Sequence, residues 1–292
     1  MVIFLNTKYQ VDMLFFPNAK INIGLHITNK RPDGYHNIET LFCPVDLSDI
    51  LEFVPLPGHQ SGKSVITVTG IEVEGPAEKN LCVKAYELLC RDFELPAVDI
   101  HLHKMIPPGA GLGGGSSDAA FMLKMLNNFF HLQLDEDSLC RYASILGSDC
   151  AFFIKNRPLL GFERGNVFEE PGPLPLNFQV IIVNPGFHIS TPEAYSGVIP
   201  AQPADSLKTL IRLPLDQWKN CIINDFEKTI FEKHPVIANI KQLLYDQGAV
   251  YASMSGSGSS VYGLFEKFPE ELSDHFPGMF CRAVKPLSAC SP

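Results

Sequence analysis

Residues 105–121 read MIPPGAGLGGGSSDAAF. Glycine stands at 109, 111, 113, 114 and 115; Ser116, Ser117 and Asp118 follow, and then apolar residues begin. Bare backbone at this density turns its N–H groups inward and lets an anion approach closely. A helix opening near Ser116 aims its N-terminal N–H groups and the positive end of its dipole at the same point. The combination reads as a phosphate cradle, with Ser116 and Ser117 adding hydroxyl donors or a magnesium ligand. A flexible linker is the bland alternative, but linkers are not usually flanked by a β-run and a strongly amphipathic helix. Gly109, Gly111 and Gly114 also satisfy G-x-G-x-x-G, a weak match alone. The dinucleotide fingerprint wants a strand ending in an acidic residue about 20 positions on, and here Asp135 opens a helix instead. The segment GHQSGKS at 58–64 has too few residues between its glycines for a P-loop and reads as a turn. No H-R-D or D-F-G sequence of a protein kinase occurs.

Two further segments carry residues suited to a site. FPNAKINIGLHI at 16–27 alternates as a strand, with Ile21, Ile23, Leu25 and Ile27 on one face and Lys20, Asn22, Gly24 and His26 on the other. A surface strand is its bland reading; a strand presenting a lysine and an asparagine to a site is the functional one. MSGSGSSVYGLF at 254–265 reads as strand, glycine-rich turn and strand. Asp149 stands just past Gly147, ahead of an apolar segment, and could serve as a helix cap, a surface charge or a base. His101 and His103 share a strand face without an evident third ligand, and read as structural.

These residues need a frame to position them. The first hundred residues are dominated by short β-runs at 14–16, 21–27, 50–54, 65–69 and 98–103. Asn80 reads as the N-cap of a helix to about Asp92, with Leu81, Ala85, Leu88 and Leu89 on one face. Ala119, Met122, Leu123, Leu126 and Phe130 mark the helix after the glycines, and Asp135 and Gly147 bound another. Residues 156–175 hold four prolines and three glycines around a strand-like piece at 159–163, and form the expected domain seam. Beyond it come a buried strand at 180–183, helical segments at 218–231 and 236–247, and strands at 250–254 and 261–266. Strands and helices in both halves predict two α+β domains, 1–157 and 158–292, with room for the last residues to pack back on the first.

The chain has 292 residues, 46% hydrophobic and 19% charged, the balance of a folded protein. A net charge of −9 disfavours nucleic acid and anionic membrane surfaces as partners. No signal-type leader and no apolar run of membrane-spanning length is evident. The eight cysteines stand singly and read as reduced, mostly buried thiols of a cytoplasmic protein.

P-x-G-A-G-L-G-G-G-S-S-D-A-A resembles the second signature motif of the GHMP kinases, and the segments at 16–27 and 254–265 resemble the first and third. The resemblance starts near Met13, leaving the first twelve residues as an extension or a misplaced start. It implies a two-domain GHMP fold: an N-terminal domain like domain 2 of ribosomal protein S5, a ferredoxin-like C-terminal domain, and the active site in the cleft between them. It implies ATP with Mg2+ as the phosphoryl donor. Phosphate contacts are carried over to Pro107, Gly109, Gly111, Leu112, Gly113, Gly114, Gly115, Ser116 and Ser117, adenine contacts to Asn80 and Lys104, and a metal contact to Ser117. Asp149 matches the base that takes the acceptor's proton, and Lys20 the lysine that contacts it and the transferring phosphate. A lysine beside a carboxylate favours its charged form, which suits orienting a hydroxyl and makes proton transfer late.

RPDGYHNIETLF at 31–42, LGSDCAFF at 146–153 and HISTPEAY at 188–195 resemble the family's branch that phosphorylates a cytidine-diphosphate-linked methylerythritol in non-mevalonate isoprenoid synthesis. Asn22, Tyr35, His36, Thr191, Tyr195, Gly256 and Ser257 then fall to that acceptor, with Tyr35 and Tyr195 expected to stack on cytosine and His36 to read its edge. The expected protein is a monomer or homodimer. Rival readings are a dinucleotide-dependent oxidoreductase, a non-catalytic ligand binder of this fold, and a kinase for another acceptor such as homoserine or mevalonate.

Overall fold

The computed structural model of the chain describes residues 14–56, 62–267, 269 and 272–287. The N-terminal twelve residues, Cys290 and residues 58–61 of the GHQSGKS segment lie outside them. In chain order the first half holds β1 (Leu14–Phe15), β2 (Asn18–Lys30), β3 (His36–Ser48), β4 (Ile50–Pro55), β5 (Ser64–Gly70), α1 (Leu81–Leu89), β6 (Val98–Lys104), α2 (Gly114–Phe129), α3 (Glu136–Leu146), α4 (Cys150–Lys155), β7 (Leu159–Glu163) and β8 (Val167–Glu169). The second holds β9 (Gln179–Asn184), α5 (Thr191–Tyr195), α6 (Leu207–Leu210), α7 (Trp218–Cys221), α8 (Phe226–Lys233), α9 (Pro235–Asp246), β10 (Tyr251–Met254), β11 (Val261–Phe265) and β12 (Phe280–Val284).

Local chemistry sets the helix ends. Asn80 Oδ1 accepts from the Cys82 N–H at 2.9 Å, and Asp135 Oδ1 from the Ser138 N–H at 2.8 Å, capping α1 and α3. Helix α2 begins at Gly114, earlier than the expected start near Ser116, because Gly113 takes the cap position with φ +73°. The faces of α1, α2 and α3 close over one core with Leu51, Phe53, Ile100 and Leu102 from β4 and β6.

Three four-stranded sheets run β1-β4-β6-β5, β2-β3-β7-β8 and β10-β11-β9-β12. Strands β7 and β8 therefore belong with β2 and β3, and the chain leaves the first half's sheets only after Glu169. The proline- and glycine-rich stretch around the seam expected at 157/158 thus holds a hairpin as well as a linker. A second core joins the halves, with Ile21 and Ile23 of β2 against Val180, Trp218, Tyr251 and Tyr262. At the far end, the Asp46 N–H donates to Lys285 O at 3.0 Å and the Leu287 N–H to Pro44 O at 2.8 Å. Of the described cysteines, all free, Cys43, Cys82 and Cys150 are buried and four others only half-buried, fewer than expected. Burial pushes the Cys43 and Cys150 thiols up to about 12, so neither is a ready nucleophile.

Between Lys20 and Ile27, where alternation was expected, strand β2 skips one residue. Ile23 pairs with Leu41 and Leu25 with Thr40, leaving Gly24 as a bulge with φ +67°. The bulge reverses the alternation beyond it. Lys20 and Asn22 border one cleft, but there they are joined by Leu25, while His26 borders a separate cavity of about 710 Å³ beside Asp225. The expected shared face of Lys20, Asn22 and His26 does not exist.

The glycine loop is docked, not free. Gly109, Gly111 and Gly113 all have positive φ. A Cβ on Gly111 would lie 2.0 Å from the Ser255 carbonyl oxygen, in the turn between β10 and β11. The bare backbone there serves the approach of the protein's own hairpin. Gly111→Val is expected to cost ~2–4 kcal/mol through strained φ and overpacking. Equilibrium denaturant unfolding measures this, and wild-type stability would show that the loop does not need the hairpin.

Behind the loop, Lys104 at the end of β6 is buried between two carboxylates. Its ammonium donates to Asp118 Oδ2 of α2 at 2.7 Å and to Asp49, the residue joining β3 to β4. Asp49 Oδ1 also accepts the N–H groups of Met105 and Ile106, at 2.6 and 2.9 Å. Burial works against the Lys104 ammonium, but Asp118 and Asp49 outweigh it and raise its pKa. Burial raises Asp118 to about 7, with Lys104 opposing and Asp49 reinforcing. An unfolded carboxyl titrates near 4, so between about 4 and 7 the folded state holds the extra proton and stability falls as pH rises. Asp118→Asn removes that loss. The melting temperature of the variant minus that of the wild type should grow by ~2 °C or more between pH 5 and pH 8; a constant difference would refute the linkage.

Candidate active site

Two clefts border the 109–115 loop. One, of about 360 Å³, is bordered by Asn80, Leu81, Lys104, Pro108, Gly109, Gly115 and Asp118, with apolar walls from Ile66, Val68 and Leu102. The other, of about 510 Å³, is bordered by Lys20, Asn22, Tyr35, His36, Gly111, Gly113, Asp149, Thr191, Tyr195, Gly256 and Ser257. Of the residues expected to touch nucleotide, Asn80, Lys104, Gly109 and Gly115 border the smaller cleft, while Gly111 and Gly113 border the larger one with the residues expected to touch acceptor. Pro107, Leu112, Gly114, Ser116 and Ser117 border neither cleft. Leu112 packs in the shared core, and its carbonyl accepts the Lys20 N–H at 2.9 Å. Ser117 is wholly buried, its Oγ without a hydrogen-bond partner.

Lys20 is the centre of the larger cleft. Its Nζ donates to Asn22 Oδ1 at 2.5 Å and to Gly111 O at 2.9 Å, and lies 3.6 Å from Asp149 Oδ2. Burial lowers the Lys20 pKa, and Asp149 partly opposes that. Asp149 occupies the cap position of α4, yet its side chain makes no capping bond. That removes the simple reading of a helix cap: the carboxylate, one-third exposed, faces the lysine and the cleft.

The acceptor-side aromatics are arranged differently from the expected pair of stacking tyrosines. His36 itself stacks on Tyr195, centroids 4.7 Å apart and planes at 21°, while the Tyr35 ring carries the Arg164 guanidinium at 4.1 Å. Thr191 opens α5, the short helix that carries Tyr195. Lys104 also departs from its expected place. Its ammonium turns inward to Asp49 and Asp118, so the lysine reaches the smaller cleft as part of a wall and not as a free cation.

Several residues at the site were not singled out from sequence. Ser255 Oγ donates to Gly111 O at 2.8 Å and accepts the Asn22 N–H at 3.2 Å. Tyr262 donates its hydroxyl to Asn22 O at 2.7 Å. His188 Nδ1 donates to Gly109 O at 2.6 Å, tying the second half to the start of the loop. Arg164 enters from the turn between β7 and β8. None carries a local sequence signal beyond its residue type, except that Ser255 and Tyr262 lie inside the third glycine-rich segment and His188 opens the segment at 188–195. His101 Nε2 and His103 Nδ1 both meet Thr69 Oγ1, at 3.0 and 2.9 Å, on an open sheet face. Among the described residues, no group of three or more His, Cys, Asp or Glu could hold a metal. Among them, too, no helix is long and apolar enough to cross a membrane.

Comparison with known proteins gives the family and the fold. Residues 80–157 match the GHMP kinases N terminal domain and residues 203–276 the GHMP kinases C terminal domain. A 4-diphosphocytidyl-2-C-methyl-D-erythritol kinase of Bacteroides fragilis is 53% identical over 270 residues, covering 92% of this chain and 98% of the relative. The enzyme of that name from Bacteroides thetaiotaomicron is 54% identical over 273 residues, covering 92% and 98%. A crystal structure of 4-(cytidine 5'-diphospho)-2C-methyl-D-erythritol kinase superposes with a TM-score of 0.77 at 29% identity, covering 94% of this chain and 99% of that one. Mevalonate kinase of Methanococcus jannaschii shares the fold, with a TM-score of 0.71 at 14% identity and coverage of 96% and 99%. The two-domain α+β architecture, the glycine loop between two clefts and these relatives lead to one conclusion: the chain belongs to the GHMP kinase family and is a small-molecule kinase with ATP as its phosphoryl donor.

Proposed function

We propose that this chain transfers the γ-phosphoryl group of ATP to the 2-hydroxyl of 4-diphosphocytidyl-2-C-methyl-D-erythritol, giving the 2-phosphate and ADP, in the non-mevalonate isoprenoid pathway. The observation that carries the reading is the Lys20–Asp149 pair, 3.6 Å apart where the acceptor cleft meets the Gly111 carbonyl. Its support in kind is the name shared by relatives about half identical over nearly the whole chain.

Transfer to a hydroxyl needs positioning, charge neutralisation and a place for the proton. Asn80, Leu81 and the apolar walls of the smaller cleft would take the adenosine, with the triphosphate crossing the loop towards Lys20. The Lys20 ammonium, little solvated and held by two oxygen acceptors, would sit beside the oxygens of the transferring group, where preorganised charge is worth most. Asp149 would orient the acceptor hydroxyl and take its proton. The nearby lysine favours the ionised carboxylate, so the proton would move late. Mg2+ usually needs one or two protein oxygens besides phosphates and water. The buried, unpartnered Ser117 Oγ under the cradle fits that limited demand and is the residue that would hold it. When bound, the ion would neutralise negative charge on the phosphates.

Asp149→Asn keeps the shape and removes the carboxylate. We expect kcat to drop ~10²–10⁴-fold with KM for ATP nearly unchanged. A variant retaining more than about half of the wild-type kcat in a coupled steady-state assay would remove Asp149 from the mechanism.

Cytosine offers an amine at N4 and an acceptor at N3, and uracil reverses both. A site that pairs with one leaves buried polar groups unpaired with the other, which can cost several orders of magnitude in kcat/KM. The uridine analogue should therefore be a very poor acceptor. Tyr195→Ala, which strips the support from under His36, should raise KM for the cytidyl substrate and spare KM for ATP. Equal turnover of the cytidine and uridine acceptors would leave a kinase of this fold with a different acceptor, which a panel of alcohols including homoserine and mevalonate would then identify.

A further inference from the structure

The Lys20 ammonium is held by a polar chain that begins at the β2 bulge. Gly24 is skipped in the β2–β3 pairing. Thr40, wholly buried on β3, reaches its carbonyl: Thr40 Oγ1 donates to Gly24 O at 2.6 Å. A carbonyl oxygen can only accept, so the single hydroxyl proton of Thr40 is committed there. What remains on Thr40 Oγ1 towards Asn22 is lone pair, and it accepts from Asn22 Nδ2 at 3.0 Å. The Asn22 amide is thereby oriented from one end. The other end agrees: Asn22 Oδ1 accepts from Lys20 Nζ. A flipped amide would aim its NH2 at an ammonium and its oxygen at a hydroxyl with no proton to give. The backbone of Asn22 is fixed as well, its N–H by Ser255 Oγ and its carbonyl by the Tyr262 hydroxyl. The amide is the remaining degree of freedom, and Thr40 decides it.

We propose that Thr40 is a positioning residue for phosphoryl transfer, its hydroxyl locking the Asn22 amide so that Asn22 Oδ1 and Gly111 O together hold the Lys20 ammonium beside Asp149. This rests on the reading of Lys20 as the lysine at the reaction centre. Thr40 has no part in either cleft wall. It acts through Asn22, and no substrate contact is needed. The same chain explains why a glycine bulge sits in a buried strand: the displaced carbonyl is what commits the threonine proton.

The test compares Thr40→Val, Thr40→Ala, Thr40→Ser, Asn22→Ala, Thr40→Val with Asn22→Ala, and Lys20→Met in one steady-state assay with ATP and the cytidyl acceptor. Small displacements of a reacting group can cost about 100-fold. We expect Thr40→Val to lower kcat by ~10–100-fold with both KM values within about threefold, and Thr40→Ser to restore kcat to within about threefold of wild type. Added to Asn22→Ala, Thr40→Val should cost little more, because both break one chain. Thr40→Ala lacks the branched methyl against Gly24 O and is read in the same way should the valine variant fail to fold. Near wild-type kcat in Thr40→Val or Thr40→Ala overturns the proposal, as does a loss that multiplies fully with that of Asn22→Ala. Retained activity in Lys20→Met would instead overturn the reading of the site itself, and the positioning role with it.

Discussion

The carbonyl oxygen of Gly111 is the point on which the site depends. It accepts the Lys20 ammonium from the first glycine-containing strand and the Ser255 hydroxyl from the last hairpin. One backbone oxygen thus joins three segments that are far apart in the chain. Two lone pairs allow two donors, and an ionised donor makes the stronger bond of the pair. The geometry requires the Gly111 backbone to stand closer to Ser255 than any side chain permits. The glycine is needed first for this protein–protein contact within the chain, and the openness towards phosphate comes with it.

The shared core gives the hub a rigid base. Ile21 and Ile23 alternate with Lys20 and Asn22 along β2 and pack against the second half, so the same strand presents polar groups to one cleft and apolar groups to the joint. Burying an ammonium in such a strand is costly unless it is paired and hydrogen-bonded. Lys20 meets that demand with two acceptors and Asp149, and burial still lowers its pKa. Lys104 solves the same problem with two carboxylates, which raise its pKa and hold its charge. Two buried lysines within one domain thus have opposite characters. Lys20 faces a partly exposed carboxylate in its cleft, whereas the Lys104 ammonium turns inward to Asp49 and Asp118 as a structural tie.

A net charge of −9 is compatible with binding a triphosphate if, as proposed, the loop supplies its field through oriented backbone rather than many cations. Lys20 and Arg164 are the only Lys or Arg bordering the acceptor cleft among the described residues. Lys20 is tied to the loop, whereas Arg164 lies over Tyr35 at the outer side. Charge is concentrated where transfer is proposed to occur, and the remaining contacts to nucleotide and acceptor fall to backbone, hydroxyl and aromatic groups.

Sequence alone determined what depends on neighbours within a few positions. The Asn80 and Asp135 caps, the helix after the glycines and the hairpin at 251–265 follow from local hydrogen bonding and periodicity. The spacing of the glycines marked a loop that borders both clefts, and the three ordered segments identified the family. Tertiary structure alone decided three other matters. A bulge at Gly24 reversed the strand's faces, because one unpaired residue shifts every later side chain by half the strand's period of two. Lys104 was drawn inward by Asp49, 55 positions away, a partner that no local spacing marks. His36 came to lie on Tyr195, and β7 joined the sheet of β2 and β3, because strand pairing and ring contacts are chosen by the whole core. Residue types and short spacings name the groups able to do the chemistry; long-range packing assigns each of them to the cleft, to the wall or to the framework behind it.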